Sequence, residues 1–503
     1  MKRHIRRTVE FASILYFFLL FNGCTQPRLD PEAAETAIGE LDSGSVTDTP
    51  SGGDIVEEAA FNDGESDDVV ELRDLGTRKK GEDWPVFLGP RGDSTSLETG
   101  IITDWSAELR IVWTRPLKES YGIGTVSRGR YFQFDRVGDM VQLHCLNSET
   151  GEQIWTYQYP TDYRDMYGYN GGPRCSPLVD GNRVYVFGVE GRIVCLDVID
   201  GAKVWAVDTA ERFNVHQNFF GVGSNPVIFN DLLIVMVGGS PVDAKLPLGL
   251  QGAAKGNGSG IVAFDKNTGR TRYSITDQLA SYASLKLAKI GSRDWCFAFA
   301  RSGLVGFDPA NGKIDFQYPW RARSLESVNA SVPVVVGTQV FISETYGPGA
   351  SLLNVRPGAY DVVWKDDDRV RARAFQAHWN TPIYRDGFLF GSSGRHEYDA
   401  VLRCIDWKTG EVKWEVPRLT RTSLMYVDDH FVCQGEDGVV RLIKVNPDRY
   451  EEVTLMLPGL KTPGAPHILL EKPCWAAPIL SHGLMYLRGD DRVICVELIP
   501  EKE

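Results

Sequence analysis

The sequence predicts an all-β fold of eight four-stranded antiparallel blades set in a ring, an eight-bladed β-propeller. Three observations predict it. A short phrase recurs, and its copies end at Trp113, Trp155, Trp205, Tyr273, Phe316, Trp364 and Trp414. Inside each copy lie short β-branched runs bounded by Gly, Asp and Asn, as at residues 182–187 and 191–197. After residue 82 no stretch carries the sustained i, i+3, i+4 apolar spacing of a helix. The terminal aromatics are 42, 50, 68, 43, 48 and 50 residues apart. Helical solenoids repeat at about 33–47 residues, so the spacing alone does not decide. The short strands do, at four per unit.

The chain opens on a basic stretch, residues 2–7, followed by a short apolar run, residues 11–21, and then Cys24. That order describes a secretory signal, residues 1–24. The run is shorter than the ~20 residues of an ordinary spanning helix. Cys24 directly after Gly23 resembles the bacterial lipobox, in which the Cys is acylated and becomes the mature N-terminus. Phe21 and Asn22 depart from that pattern, and a plain signal peptide with an incidental Cys is the alternative reading.

Residues 25–81 hold 15 acidic against 5 basic side chains. Such composition buries too little apolar surface to offset ordering entropy, so this stretch is expected to be a disordered acidic tether. The domain is expected over residues 82–503. After residue 81 the net charge is −6, within a total of −13. That balance lacks the basic footprint of a nucleic-acid binder.

Within each unit a Thr-Gly or Asn-Gly turn precedes the aromatic, as at Thr150-Gly151, Asn311-Gly312 and Thr409-Gly410. Gly adopts φ > 0 at little cost, and an Asp or Asn a few residues earlier can bond the turn backbone. The aromatic is expected to wedge between neighbouring sheets. The innermost strands start near a Pro, at Pro177, Pro226, Pro333, Pro382 and Pro478. The seventh unit, from Thr422, has lost its aromatic, and the eighth, residues 475–500, supplies three strands. Residues 109–113 are expected to provide the missing outer strand and close the ring, which removes an exposed sheet edge. A seven-blade ring is the competing count. The longest insertion, roughly 242–260, either covers a mouth of the channel or forms a disordered loop.

Eight cysteines follow Cys24. Cys145, Cys195, Cys404 and Cys495 share one repeat position, and equivalent positions on different blades lie too far apart for a disulfide. They read as small core residues, as do Cys296 and Cys433. Cys175 and Cys474 lie near strand starts, and a bond between them is the one disulfide left open, although their blades, the second and eighth, stand on either side of the first. There is no Cys-x-x-Cys pair, no His-Glu-x-x-His and no Gly-x-Ser-x-Gly.

The phrase with Thr-Gly and terminal Trp resembles the tryptophan-docking repeat of quinoprotein dehydrogenases, eight-bladed propellers that bind pyrroloquinoline quinone (PQQ). The run from Asp83 through Trp84, Pro85, Phe87 and Gly89 to Gly92 looks like the start of planctomycete-type PQQ-binding-like propellers. The outer-membrane assembly lipoproteins of the BamB type are more distant relatives. The resemblance covers about residues 82–500 and implies the scaffold. The catalytic members carry adjacent cysteines, hold Ca²⁺ with Glu, Asn and Asp, and use a further Asp as base. This chain has no adjacent cysteines, and those motifs match no positions in it.

No cofactor is therefore expected, and PQQ with Ca²⁺ belongs to the alternative of a diverged alcohol or sugar dehydrogenase. The favoured expectation is a protein-binding or scaffold module. It would be a monomeric propeller, exported and lipid-anchored through Cys24 in the bacterial envelope, with other envelope proteins as partners. Segments just before the innermost strands should reach one mouth of the channel. They bring Tyr121, Arg174, Asn225, Tyr282, Asn329, His378, Trp379, Asn380 and Trp475 there as candidate contacts, Arg174 and Trp379 foremost.

Overall fold

Each repeat unit folds into an antiparallel sheet whose four strands follow chain order. The structure, a computed structural model, describes residues 57–58, 72–106, 109–216, 219–244, 255–323, 328–366, 372–456 and 470–501. The expected signal, Cys24 and most of the expected tether lie outside the described residues. Blades 1 to 7 span residues 125–160, 178–208, 227–275, 286–319, 334–365, 383–417 and 422–456. A two-residue strand, Glu57–Glu58, pairs outside Lys203–Asp208 of blade 2. No helix among the described residues is long and apolar enough to cross a membrane.

Blade 8 closes the ring as expected. Its strands Ile479–Ser481, Leu484–Arg488 and Arg492–Glu497 are completed by Ile111–Pro116 from before blade 1. The register places Ile111 opposite Val496 and Trp113 opposite Cys495. The fully buried Arg488 ties the same seam to the segment entering blade 1, donating to Ser120 O at 2.8 Å and also to Gly122 O.

The docking aromatics hold neighbouring blades together. Each indole N–H crosses to a backbone carbonyl of the next blade: Trp113 to Ser148 O at 2.9 Å, Trp155 to Val198 O at 3.0 Å, Trp364 to Trp407 O at 2.9 Å. The ring lies on that blade's turn glycine. A Cβ on Gly151 would stand 2.8 Å from the Trp113 ring, and φ is +73° there. Asp406 bonds the turn as expected, its carboxylate accepting from the N–H of Lys408 and Thr409 at 2.9 and 2.8 Å.

The shared cysteine position also has a physical reason. Cys145, Cys195, Cys404 and Cys495 lie directly opposite Trp155, Trp205, Trp414 and Trp113. Facing residues of an antiparallel pair share one side of the sheet, so a small residue leaves room for the indole. Blade 4 uses Gly306, where a Cβ would meet the Phe316 ring at 2.5 Å. All eight described cysteines are free and buried, Cys175 and Cys474 included.

Strands alternate in direction. The Thr-Gly turns and the hairpins after the innermost strands therefore lie at one end of the ring. Blade-to-blade connections lie at the other end, the mouth. Residues 82–98 form a strap that enters the channel from the turn end. Trp84 is fully buried and exchanges backbone bonds of 2.9 Å with Val126 of blade 1. Pro85 O accepts from Val179 of blade 2 at 2.9 Å, and Lys286 Nζ of blade 4 donates to Arg91 O and Gly92 O at 2.8 and 2.6 Å. Tyr426 of blade 7 donates to Ser94 O at 2.9 Å, and Glu98 accepts from the Gly483 N–H of blade 8 at 2.7 Å.

Contacts to the ring begin before residue 82, the expected boundary. Leu75 N–H reaches Arg128 O at 3.1 Å, and Arg78 pairs with Glu497 at 2.9 Å and donates to Ile499 O at 2.6 Å. Composition placed residues 72–81 in the tether because they are polar. They are held by these hydrogen bonds to the ring and by Leu72, which packs against the core between blades 1 and 2.

Candidate functional site at the channel mouth

A cavity of about 260 Å³ opens at the mouth of the channel. Eight of the nine expected contacts line it: Tyr121, Arg174, Asn225, Tyr282, His378, Trp379, Asn380 and Trp475. Asn329 does not. It is fully buried, with its Nδ2 donating to Ala300 O at 2.7 Å. Its backbone carbonyl takes the N–H of Tyr282 and Ala283 at 2.9 and 2.8 Å.

The asparagines before the innermost strands act as clips between blades. Asn225 Oδ1 accepts from Ser176 N at 2.7 Å, and its Nδ2 donates to Ser284 Oγ at 2.9 Å. Asn380 Nδ2 donates to Thr422 O at 2.8 Å. Their amides are engaged by the scaffold, which leaves the aromatic and charged groups to face a ligand.

Trp475 centres an aromatic wall. Its ring centroid lies 4.7 Å from Tyr121, 5.0 Å from Trp379 and 6.2 Å from Tyr169. Phe220 continues the wall to Tyr282 at 5.5 Å. Arg421 lies 4.3 Å over Trp379 and is paired at 2.6 Å with Glu436, which also accepts the Trp475 indole N–H at 2.9 Å. Arg174 is paired with Asp165 at 2.8 Å and lies 5.4 Å from the Tyr121 ring centre. Burial, with Arg421, Arg395 and His396 nearby, pushes His378 down to about 3, so its imidazole is neutral. Phe87 and Leu88 of the strap line the cavity and a second, inner cavity of about 300 Å³. The strap thus lies between the two. On the rim stand Met166, Tyr167 and Tyr169, at 68, 48 and 48% exposure.

Arg421, Tyr169, Phe220, Tyr346, Phe87 and Leu88 were not among the expected contacts. Arg421 had a signal, because it directly precedes the innermost strand Thr422–Val427. Tyr346 lies in the turn after Gln339–Glu344, which reaches the same mouth. Nothing local marks Phe87 and Leu88.

Fold and mouth together define a PQQ-like β-propeller with an aromatic cavity at one end of its channel. A family profile described as outer membrane protein assembly factor BamB matches residues 99–248 and 170–416, more than half of the chain, and the chain belongs to that family. It is similar to a quinohemoprotein alcohol dehydrogenase of Comamonas testosteroni, with 28% identity over 137 residues, which are 26% of this chain and 16% of the relative. Among solved structures, BamB from Moraxella catarrhalis aligns with a TM-score of 0.51 at 15% identity, over 78% of this chain and 99% of that one. The Comamonas testosteroni dehydrogenase aligns with a TM-score of 0.58 at 12% identity, over 84% and 81%. At these identities the alignments show the fold.

The dehydrogenase resemblance implies PQQ with Ca²⁺ held by Glu, Asn and Asp. Among the described residues no three His, Cys, Asp or Glu side chains gather as metal ligands. Asp165 and Glu436, beside the cavity, are each tied to an arginine.

Proposed function

We propose that this propeller works by binding, holding an envelope protein at the channel mouth through a side chain anchored in the aromatic cavity. One observation carries the reading: an apolar cavity floored by the strap, with Arg174 and Arg421 already neutralised, beside a rim of exposed Met166, Tyr167 and Tyr169. Buried aromatic anchors of this kind dominate protein interfaces. The family's description as an outer membrane assembly factor supports an envelope setting. In this reading the chain is exported, held to the membrane through acylated Cys24, and works as a monomeric propeller without a resident cofactor.

The test is site-specific photo-crosslinking from position 169 in cells. One defined protein adduct is expected, lost in Trp475→Ala at unchanged melting temperature. Equal crosslinking by that variant would overturn the reading. The 137-residue similarity to a dehydrogenase favours a second reading, a PQQ-dependent oxidoreductase of alcohols or sugars. Dye reduction on such substrates after adding PQQ and Ca²⁺ is expected to stay at background, and saturable turnover would replace the binding reading.

A further inference from the structure

The protons at the mouth can be placed. Arg421 Nη1 lies 3.3 Å from His378 Nδ1, and a guanidinium only donates, so Nδ1 accepts. A neutral imidazole then carries its proton on Nε2, which donates to the Tyr346 hydroxyl oxygen at 3.2 Å. The Tyr346 O–H hydrogen is left to donate elsewhere. Across the cavity the Tyr121 hydroxyl accepts from the Asn170 N–H at 3.3 Å, which leaves its hydrogen for a ligand as well.

The charges point the same way. Arg395 is exposed, its guanidinium lies 4.3 Å over the Tyr346 ring, and among the described residues no carboxylate pairs with it. Of the carboxylates near the cavity, Asp165 and Glu436 are paired with Arg174 and Arg421, and Asp490, beside Tyr121, accepts from Asn170 Nδ2 at 3.4 Å. The mouth therefore offers hydroxyl donors beside an aromatic box, with Arg395, which no carboxylate pairs among the described residues, against the Tyr346 ring. A group with acceptors only, negative charge and an attached apolar body complements it. A carboxylate meets the first two conditions, and pairs with guanidinium through short charge-assisted bonds.

The cavity holds about 260 Å³ and its floor is closed by Phe87 and Leu88, so a chain cannot run through it. One residue that presents both a carboxylate and a large apolar side chain at a chain end is a C-terminal residue. We infer that the mouth captures the C-terminus of a polypeptide, with the terminal carboxylate at Arg395 and Tyr346 and an aromatic or large aliphatic side chain against Trp379 and Trp475. This rests on the binding reading and specifies its ligand.

Titration calorimetry of the full chain tests it with three probes: acetyl-Gly-Gly-Gly-Phe as the free acid, the same peptide as its C-terminal amide, and 3-phenylpropionate. The free acid is expected to bind about 10-fold tighter than the amide, as loss of a charge-assisted contact implies. Arg395→Gln and Tyr346→Phe should each lower most of that ratio and leave the amide's affinity unchanged, while Arg395→Lys should restore part of it. Acid and amide binding equally would overturn the carboxylate inference and leave the aromatic anchor standing. Binding of 3-phenylpropionate alone would overturn the polypeptide source. Failure of all three probes on folded protein would overturn the inference, whereas failure of the binding reading itself shows in the crosslinking experiment.

Discussion

The Lys286 ammonium of blade 4 donates to the Arg91 carbonyl at 2.8 Å, and so pins a strap from before the first blade in the middle of the channel. Lys286 is nearly buried, and that burial lowers its pKa, with Asp93 opposing. Two strap carbonyls spend their acceptor capacity on it.

Lys286→Met should free the strap. Two carbonyls lose their donor, which costs about 1–3 kcal/mol. Thermal unfolding should show the loss, and limited proteolysis with mass spectrometry should locate new cleavage within residues 82–98. An unchanged digestion pattern would show that the other blades hold the strap without Lys286.

Trp113→Ala removes the aromatic that joins the closing strand to blade 1, where its indole N–H reaches Ser148 O at 2.9 Å. The expected cost is about 3–5 kcal/mol, read by chemical denaturation. Deleting residues 82–115 should go further and cause aggregation, because Arg492–Glu497 then becomes a bare edge.

His482 carries a pH dependence. Its Nε2 faces Asp83 at 3.2 Å and its Nδ1 faces Lys80 O at 3.1 Å, two acceptors that favour the imidazolium. The Asp83 hydrogen bond raises its pKa above 6.5, against the opposing effect of burial. For Asp83, burial acts upward, and the bonds from His482 and the Arg128 N–H hold it below 3.8. A raised histidine stabilises fully below about pH 6.5 and loses its contribution as pH climbs through the folded pKa. The lowered carboxylate contributes above about pH 3.8 and loses its contribution as pH falls through its own folded pKa. The melting temperature should therefore decline from pH 6 toward pH 9, and His482→Gln should flatten that decline.

Cys24 is expected to be the acylated mature terminus. Mass spectrometry of the membrane fraction should find a lipid-modified peptide beginning at Cys24, and Cys24→Ala should release the protein. One acyl chain gives marginal attachment, so more than one is expected. An unmodified terminus at another residue would refute the anchor.

Blade number, ring closure and the docking role of the aromatics were legible in the chain itself. Trp113, Gly151 and Asp406 act within one turn or across one strand pair, and short-range patterns report such contacts. The mouth was legible in part. Tyr121, Arg174 and Trp475 precede innermost strands, so topology brings them to one end of the channel. Asn329 precedes an innermost strand as well, yet its amide bonds Ala300 O, because strand-end backbone groups compete for the same side chains.

The sequence by itself determined the ring, since each repeat must bury one sheet face against the next. Tertiary structure alone decided what fills the channel. The apolar Phe87 and Leu88 could have packed in any core. They floor the mouth cavity because Lys286, Tyr426 and Gly483, distant in sequence, hold the strap's backbone carbonyls and the Glu98 carboxylate between blades. Tertiary structure likewise set the donor character of the mouth. A hydroxyl's free hydrogen follows from the partners of its partners, Arg421 acting on His378 and His378 on Tyr346, and that chain of contacts leaves no trace in local pattern.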